Sequence, residues 1–211
     1  MHKIQNKQKG AEMKKYLKDH FSCLGIQRPA RNTIQKPWLA VIKADFQVDP
    51  WDLAWELWEQ EHREFQHVAI DYMKTFPKKS YKKDDHIKIE RFITSKSWWD
   101  TVDFLASHVA GNYFQNCPEM IESVITKWRH SDDMWLNRTS LLFQLRYKET
   151  TDFELLKGLV LQYLEVKEFF IQKAIGWSLR QYSRTNPDAV RDFIADLELS
   201  TVARREAIKY I

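Results

Sequence analysis

Turn-forming residues are scarce in this chain: five Gly and six Pro in 211 residues. That argues against a turn-rich β sandwich and against disordered linkers, and favours helices joined by short connections. Cysteine is scarcer still. Cys23 and Cys117 lie far apart and form no CxxC pair, which excludes a disulfide scaffold. Two buried free thiols in a reducing cytoplasm are the expectation. No segment approaches about 18 uninterrupted apolar residues. The opening MHKIQNKQKG lacks the apolar stretch of a signal peptide. A cytoplasmic protein, neither secreted nor membrane-spanning, is therefore expected. The seven His are scattered, and His62 and His67 are spaced wrongly for one helical face, so neither a metal site nor a cofactor is expected. Charge of one sign is also in short supply. The 33 basic residues nearly balance 29 acidic ones, for a formal net charge of +4. This mild basicity permits a polyanionic partner without requiring one.

Tryptophan is abundant, with nine residues, more than a core of this size needs. Most segments show helical periodicity, as in REFQHVAIDYMKTF and FFIQKAIGWSLRQY. These two superpose, with Phe65 on Phe170 and Ala69 on Ala174. SWWDTVDFLA, MWLNRTSLLFQL and VARREAIKYI take the same frame, giving the anchors Phe65, Trp99, Trp135, Phe170 and Ala203. Spacings of about 33 to 36 residues match a two-helix repeat. Asp49 before Pro50, and Asp152 before Phe153, read as the starts of preceding helices. The predicted fold is all-α: an α-solenoid of HEAT-like two-helix repeats in one domain over residues 1–211, with the second helices lining a concave face.

Four residues past each anchor lies a second slot, occupied by Ala69, Asp103, Thr139, Ala174 and Ala207. Small residues there read as packing. Asp103 breaks the pattern, and a carboxylate buried without a partner costs several kcal/mol or takes up a proton. It is either a helix-surface residue or a functional one. Trp99 shares its helical face, whereas Trp98 points elsewhere and is the better core candidate. Lys74, Lys78, Lys79, Lys82 and Lys83 form a basic run that reads first as a solvated loop between repeats.

SKSWWDTVD, WLNRTSLLFQLRYKE, KEFFIQKAIGWSLRQY and RREAIKYI resemble the DNA alkylation-repair glycosylases of the AlkD type, built from HEAT-like repeats. The resemblance runs from MKKYLKDHFSCLGIQRP to the end and agrees with the solenoid read from the spacing. It implies removal of cationic N3- and N7-alkylated purines from duplex DNA, without a deep base-flipping pocket, by a monomer. Residue by residue, it implies a catalytic cleft of Trp99, Asp103 and Trp177. It implies DNA-backbone contacts from Arg138 and Arg180, an approach to the duplex by Tyr16, and a further basic contact from Arg146.

Those residue types suit that chemistry. An N7-alkylated purine is already cationic, so it leaves as a neutral base and needs no general acid. Positive charge builds on the sugar, where a fixed carboxylate stabilises it and orients a water. At about 4 Å and an effective dielectric near 20, one such contact is on the order of 4 kcal/mol before desolvation. Indole faces attract a cation by roughly 0.5–2 kcal/mol. Phosphate contacts by arginine fix register and read no sequence, as a repair enzyme requires.

The N-terminus departs from the family. Members carry another helix before the segment matching EMKKYLKDHF, and here only residues 1–11 precede it. A shortened N-terminal grip would leave the cleft residues in place while DNA affinity falls. Two other readings therefore stand beside the glycosylase: a related protein that binds DNA weakly with little or no excision, and a helical-repeat module for protein partners.

Overall fold

The structure is a computed structural model that describes residues 1, 4–44 and 49–211. They contain helices and no strand, as the scarcity of turn-formers predicts. The chain divides into two compact units, Met1–Pro77 and Lys78–Ile211.

The first unit holds α1 (Lys7–Tyr16), α2 (Arg28–Ala44), α3 (Pro50–Glu59) and α4 (Arg63–Met73). Asp49 starts α3 as its sequence predicts: its carboxylate accepts the Trp51 N–H at 2.9 Å, and Pro50 opens the helix. Trp51, Trp58, Tyr72 and Phe76 are buried, with Phe76 edge-on to both Trp51 and Tyr72. At the start of α4 the buried Glu64 carboxylate accepts the backbone N–H groups of Leu24, Gly25 and Ile26 at 2.8–3.1 Å. Gly25 has φ +82°, the left-handed region where glycine alone escapes strain. The chain can thus turn there and offer three successive donors to one carboxylate.

The second unit pairs its helices in the predicted order. The first pair is α5 (Asp85–Thr94) with a longer rod made of α6 (Trp99–Phe104), a π-helical turn (Leu105–Ala110) and α7 (Gly111–Asn116). Next come α8 (Ile121–Arg129) with α9 (Met134–Leu142), α10 (Phe153–Gln162) with α11 (Phe169–Ser183), and α12 (Pro187–Ala195) with α13 (Thr201–Ala207). Side-chain caps start four of them, α9, α10, α12 and α13. Asp133 accepts from Trp135 and Leu136, Asp152 from Leu155, Asn186 from Ala189, and Ser200 from Ala203. Each anchor of the repeat opens a second helix: Trp99 in α6, Trp135 in α9, Phe170 in α11 and Ala203 in α13. These helices pack side by side in that order.

The second slot behaves as the repeat demands. Ala69, Thr139, Ala174 and Ala207 are fully buried, and only Asp103 keeps partial exposure, its side chain 16% accessible. A device that the periodicity does not reveal ties the two helices of a pair together. An amide near the start of the second helix donates to the open carbonyls that end the first. Gln66 bonds the Trp58 and Gln60 carbonyls, Asn137 those of Trp128 and Ser131, and Gln172 that of Val166.

The π turn is likewise absent from the sequence reading. It directly follows α6, and Ser107 Oγ donates to the Asp103 carbonyl at 2.7 Å. The Phe104 and His108 rings stack at 4.0 Å. Such turns recur at functional sites, because one extra residue re-aims the side chains around it.

Candidate functional site

Helices α6, α9, α11 and α13 bound an open cleft of about 330 Å³ within the second unit. Trp99, Asp103, Arg138, Trp177 and Arg180, all singled out from sequence, line it together. Trp99 and Asp103 stand one turn apart on α6. Trp177 and Arg180 share a face of α11 with Lys173, at spacings of four and three residues. The opposite face of α11, with Ile171, Ala174, Ile175, Ser178 and Leu179, is buried. Packing of that face therefore aims the polar one at the cleft.

An aromatic floor adjoins the cleft at Phe170, which lines it. Trp98 packs on Trp135 and Phe170 with ring centroids 5.7 and 5.3 Å apart, and Trp135 and Phe170 are 5.1 Å apart. The adjacent tryptophans thus divide as their opposite directions predict: Trp98 joins this floor and Trp99 faces the cleft.

Asp103 is held by Arg138. The guanidinium donates through Nε to Oδ1 at 2.7 Å and through Nη2 to Oδ2 at 2.9 Å, a bidentate fork. Its Nη1 donates to the Phe170 carbonyl. The Arg138 side chain is only 4% accessible. The arginine expected on the DNA backbone is here turned inward onto the carboxylate. Burial pushes the Asp103 carboxyl above its ordinary range, Arg138 pulls the other way, and Asp100 adds to the push.

Lys173 and Glu206, also in the cleft wall, escaped the sequence reading. A signal for them exists. The position just before the buried second slot is charged in three successive repeats, as Arg138, Lys173 and Glu206. A charge next to a fully buried helical position lies at the edge of the core, where it faces a neighbouring helix. Glu206 accepts from Lys173 Nζ at 2.8 Å, from Lys209 Nζ at 2.9 Å, and from Arg180. The hydrogen bonds from Lys173 and then Lys209, with Arg180 adding its charge, hold the carboxyl down at about 2.

The remaining expected contacts lie elsewhere. Arg146 is exposed in the turn after α9 and does not line the cleft. Tyr16 ends α1 in the first unit with 68% of its surface accessible. Lys74, Lys78, Lys79, Lys82 and Lys83 are all exposed, and Lys83 pairs with Glu119 at 3.1 Å. Among the described residues, no group of three or more His, Cys, Asp or Glu could hold a metal ion, and no helix is long and apolar enough to cross a membrane.

Comparison with known proteins adds a family. The model of the family described as DNA alkylation repair enzyme matches residues 1–211. A solved structure, described as a predicted DNA alkylation repair enzyme from Enterococcus faecalis, is 31% identical. It superposes with a TM-score of 0.89 over 98% of this chain and 96% of that one. No curated protein matches the sequence.

Proposed function

The chain belongs to the DNA alkylation repair enzyme family, and from that premise we propose that it hydrolyses the N-glycosidic bond of cationic N3- and N7-alkylated purines in duplex DNA. The observation that carries this reading is Asp103 in an open cleft with Trp99 and Trp177. When the bond between purine and C1′ breaks, its electron pair goes to the base, which leaves neutral. C1′ becomes electron-poor, and Asp103 stabilises that charge and orients the water that adds there, whose proton passes to solvent. Trp99 and Trp177 offer π faces to the cationic nucleotide and exclude bulk water. Arg180 supplies positive charge for the DNA backbone. Arg138 acts as a positioning residue that holds both oxygens of Asp103. The open cleft suits a lesion that is not swallowed whole, since its lining is a shallow wall shared by four helices.

The test is release of 7-methylguanine from methylated duplex DNA. The expected result is release by the native chain and a loss of about a hundredfold or more in Asp103→Asn, comparable to removal of one fixed transition-state contact. A second reading, DNA binding with little excision, draws on the same fork: Arg138 neutralises part of the charge on which Asp103 would act. Under it, duplex DNA binds in a salt-sensitive manner while no 7-methylguanine appears. We take the protein to act as a cytoplasmic monomer.

A further inference from the structure

We infer that Glu206 is a positioning residue which gathers Lys173 and Arg180 into a two-cation seat for a single DNA phosphodiester beside Asp103. This rests on the proposed action on DNA and adds to it a binding residue, Lys173, and the group that aims it.

Lys173 and Arg180 are seven residues apart on α11, so their Cα atoms are about 10 Å apart at 1.5 Å per residue. Left alone, two long flexible side chains at that separation would grip separate points or none. Both heads instead meet one carboxylate. Lys173 donates to Oε1 at 2.8 Å, and Arg180 donates to Oε2. Each spends one donor there, and an ammonium has three and a guanidinium five, so donors remain on both heads. Lys209 joins at Oε2, 2.9 Å away. One carboxylate among three cations leaves the wall with surplus positive charge. Both of its oxygens are occupied, and its depressed pKa, about 2, keeps it ionised at any working pH. Lys173, Arg180 and Glu206 line the same cleft as Asp103, which an ion-pair cluster serving only to brace helices would not need to do.

The fold makes room for this arrangement at Gly176. A Cβ at that position would lie 2.5 Å from the Ala203 carbonyl oxygen and 2.7 Å from Glu206 Cβ. Only a residue without a side chain lets α13 come this close to α11, and that approach delivers Glu206 between Lys173 and Arg180.

The sign of one substitution separates this role from a bystander's. Glu206→Gln removes a negative charge, so by bulk electrostatics alone it strengthens DNA binding. If Glu206 aims the two cations, the same change releases them and weakens binding. The experiment measures binding of an unmodified duplex by the full chain over a range of salt concentrations. It uses the native protein, Glu206→Gln and Lys173→Met, with thermal melting of each. We expect Glu206→Gln to bind about threefold weaker or worse, through lost preorganisation. We expect Lys173→Met to flatten the log–log salt slope by about 0.5 to 1. Glu206→Gln binding as tightly as the native chain or more tightly, or a slope unchanged in Lys173→Met, overturns the seat. If Glu206→Gln does not fold, the Lys173→Met slope decides alone, because that side chain is a third accessible. The 7-methylguanine assay run alongside keeps the two ideas apart. Excision with no seat effect removes the seat alone, whereas the seat effect without excision removes the glycosylase reading alone.

Discussion

At Asp103 a carboxylate that the proposed excision needs ionised is set into a half-buried wall, and Arg138 answers both of its oxygens. Burial raises the proton affinity of the group and Arg138 lowers it, with burial prevailing. As pH falls through that raised pKa, Asp103 takes up a proton and loses the charge that would face the sugar. The acid limb of the excision profile should therefore lie above about 4, where an ordinary carboxylate would place it. Arg138→Met removes the downward pull, so the limb should move to still higher pH in kcat/KM, and the protein should lose about 3 kcal/mol of stability. A limb that stays in place would show that Arg138 does not act through Asp103. Trp177→Ala should slow excision about tenfold while leaving the limb unmoved. Glu206 has the opposite sign. Its folded pKa, about 2, lies below the 4.5 of a free side chain. The stability it contributes is complete above about 4.5 and is lost as pH falls towards 2. An acid titration of the melting temperature in native protein and Glu206→Gln should converge across that window.

The helices translate such single-residue demands into positions. Gly176→Val places branched carbons against the Ala203 carbonyl and Glu206 Cβ, and backbone gives way poorly. A loss of about 1–3 kcal/mol is expected, read as a lower melting temperature, together with weaker DNA binding as α13 moves off. Asn137→Ala strips two carbonyls, of Trp128 and Ser131, of their donor, and should cost about 1–3 kcal/mol in denaturant titration. At this scale much was legible in the sequence. Anchors recurring at a two-helix period, and Asp–Pro and Asp–Phe starts, report local preferences that the fold keeps, because each helix is short and buries one face. The π turn after Asp103 was not legible, since the buried Val102, Leu105, Ala106, Val109, Ala110 and Tyr113 keep the spacing of an ordinary helix through it. Arg138 was read as a contact for the DNA backbone from the family resemblance, since the residue alone reads as a surface cation. Its bidentate hold on Asp103 depends on two helices lying next to each other, which no single stretch encodes. Glu206 was missed for the same reason, although its place beside a small buried slot matches those of Arg138 and Lys173.

Across the whole molecule, a net charge of +4 on 62 charged residues, 33 basic and 29 acidic, produces only a weak average field. Attraction to a polyanion has to come from local clusters such as the wall around Glu206. Neutralising the one phosphate of the proposed seat predicts a fall in duplex affinity of about threefold to fourfold between 50 and 200 mM salt. Affinity that ignores salt would remove DNA as the partner. A stack of repeats is usually tolerant of added or deleted units, since each touches its neighbours alone. The cleft is not tolerant in that way. Its groups come from α6, α9, α11 and α13 in succession, so the proposed chemistry is owned jointly by consecutive modules. A designer could graft modules outside the row from α6 to α13, but splicing one between α6 and α9 would separate Asp103 from Arg138, Trp177 and the cations around Glu206, leaving a sound scaffold with no centre.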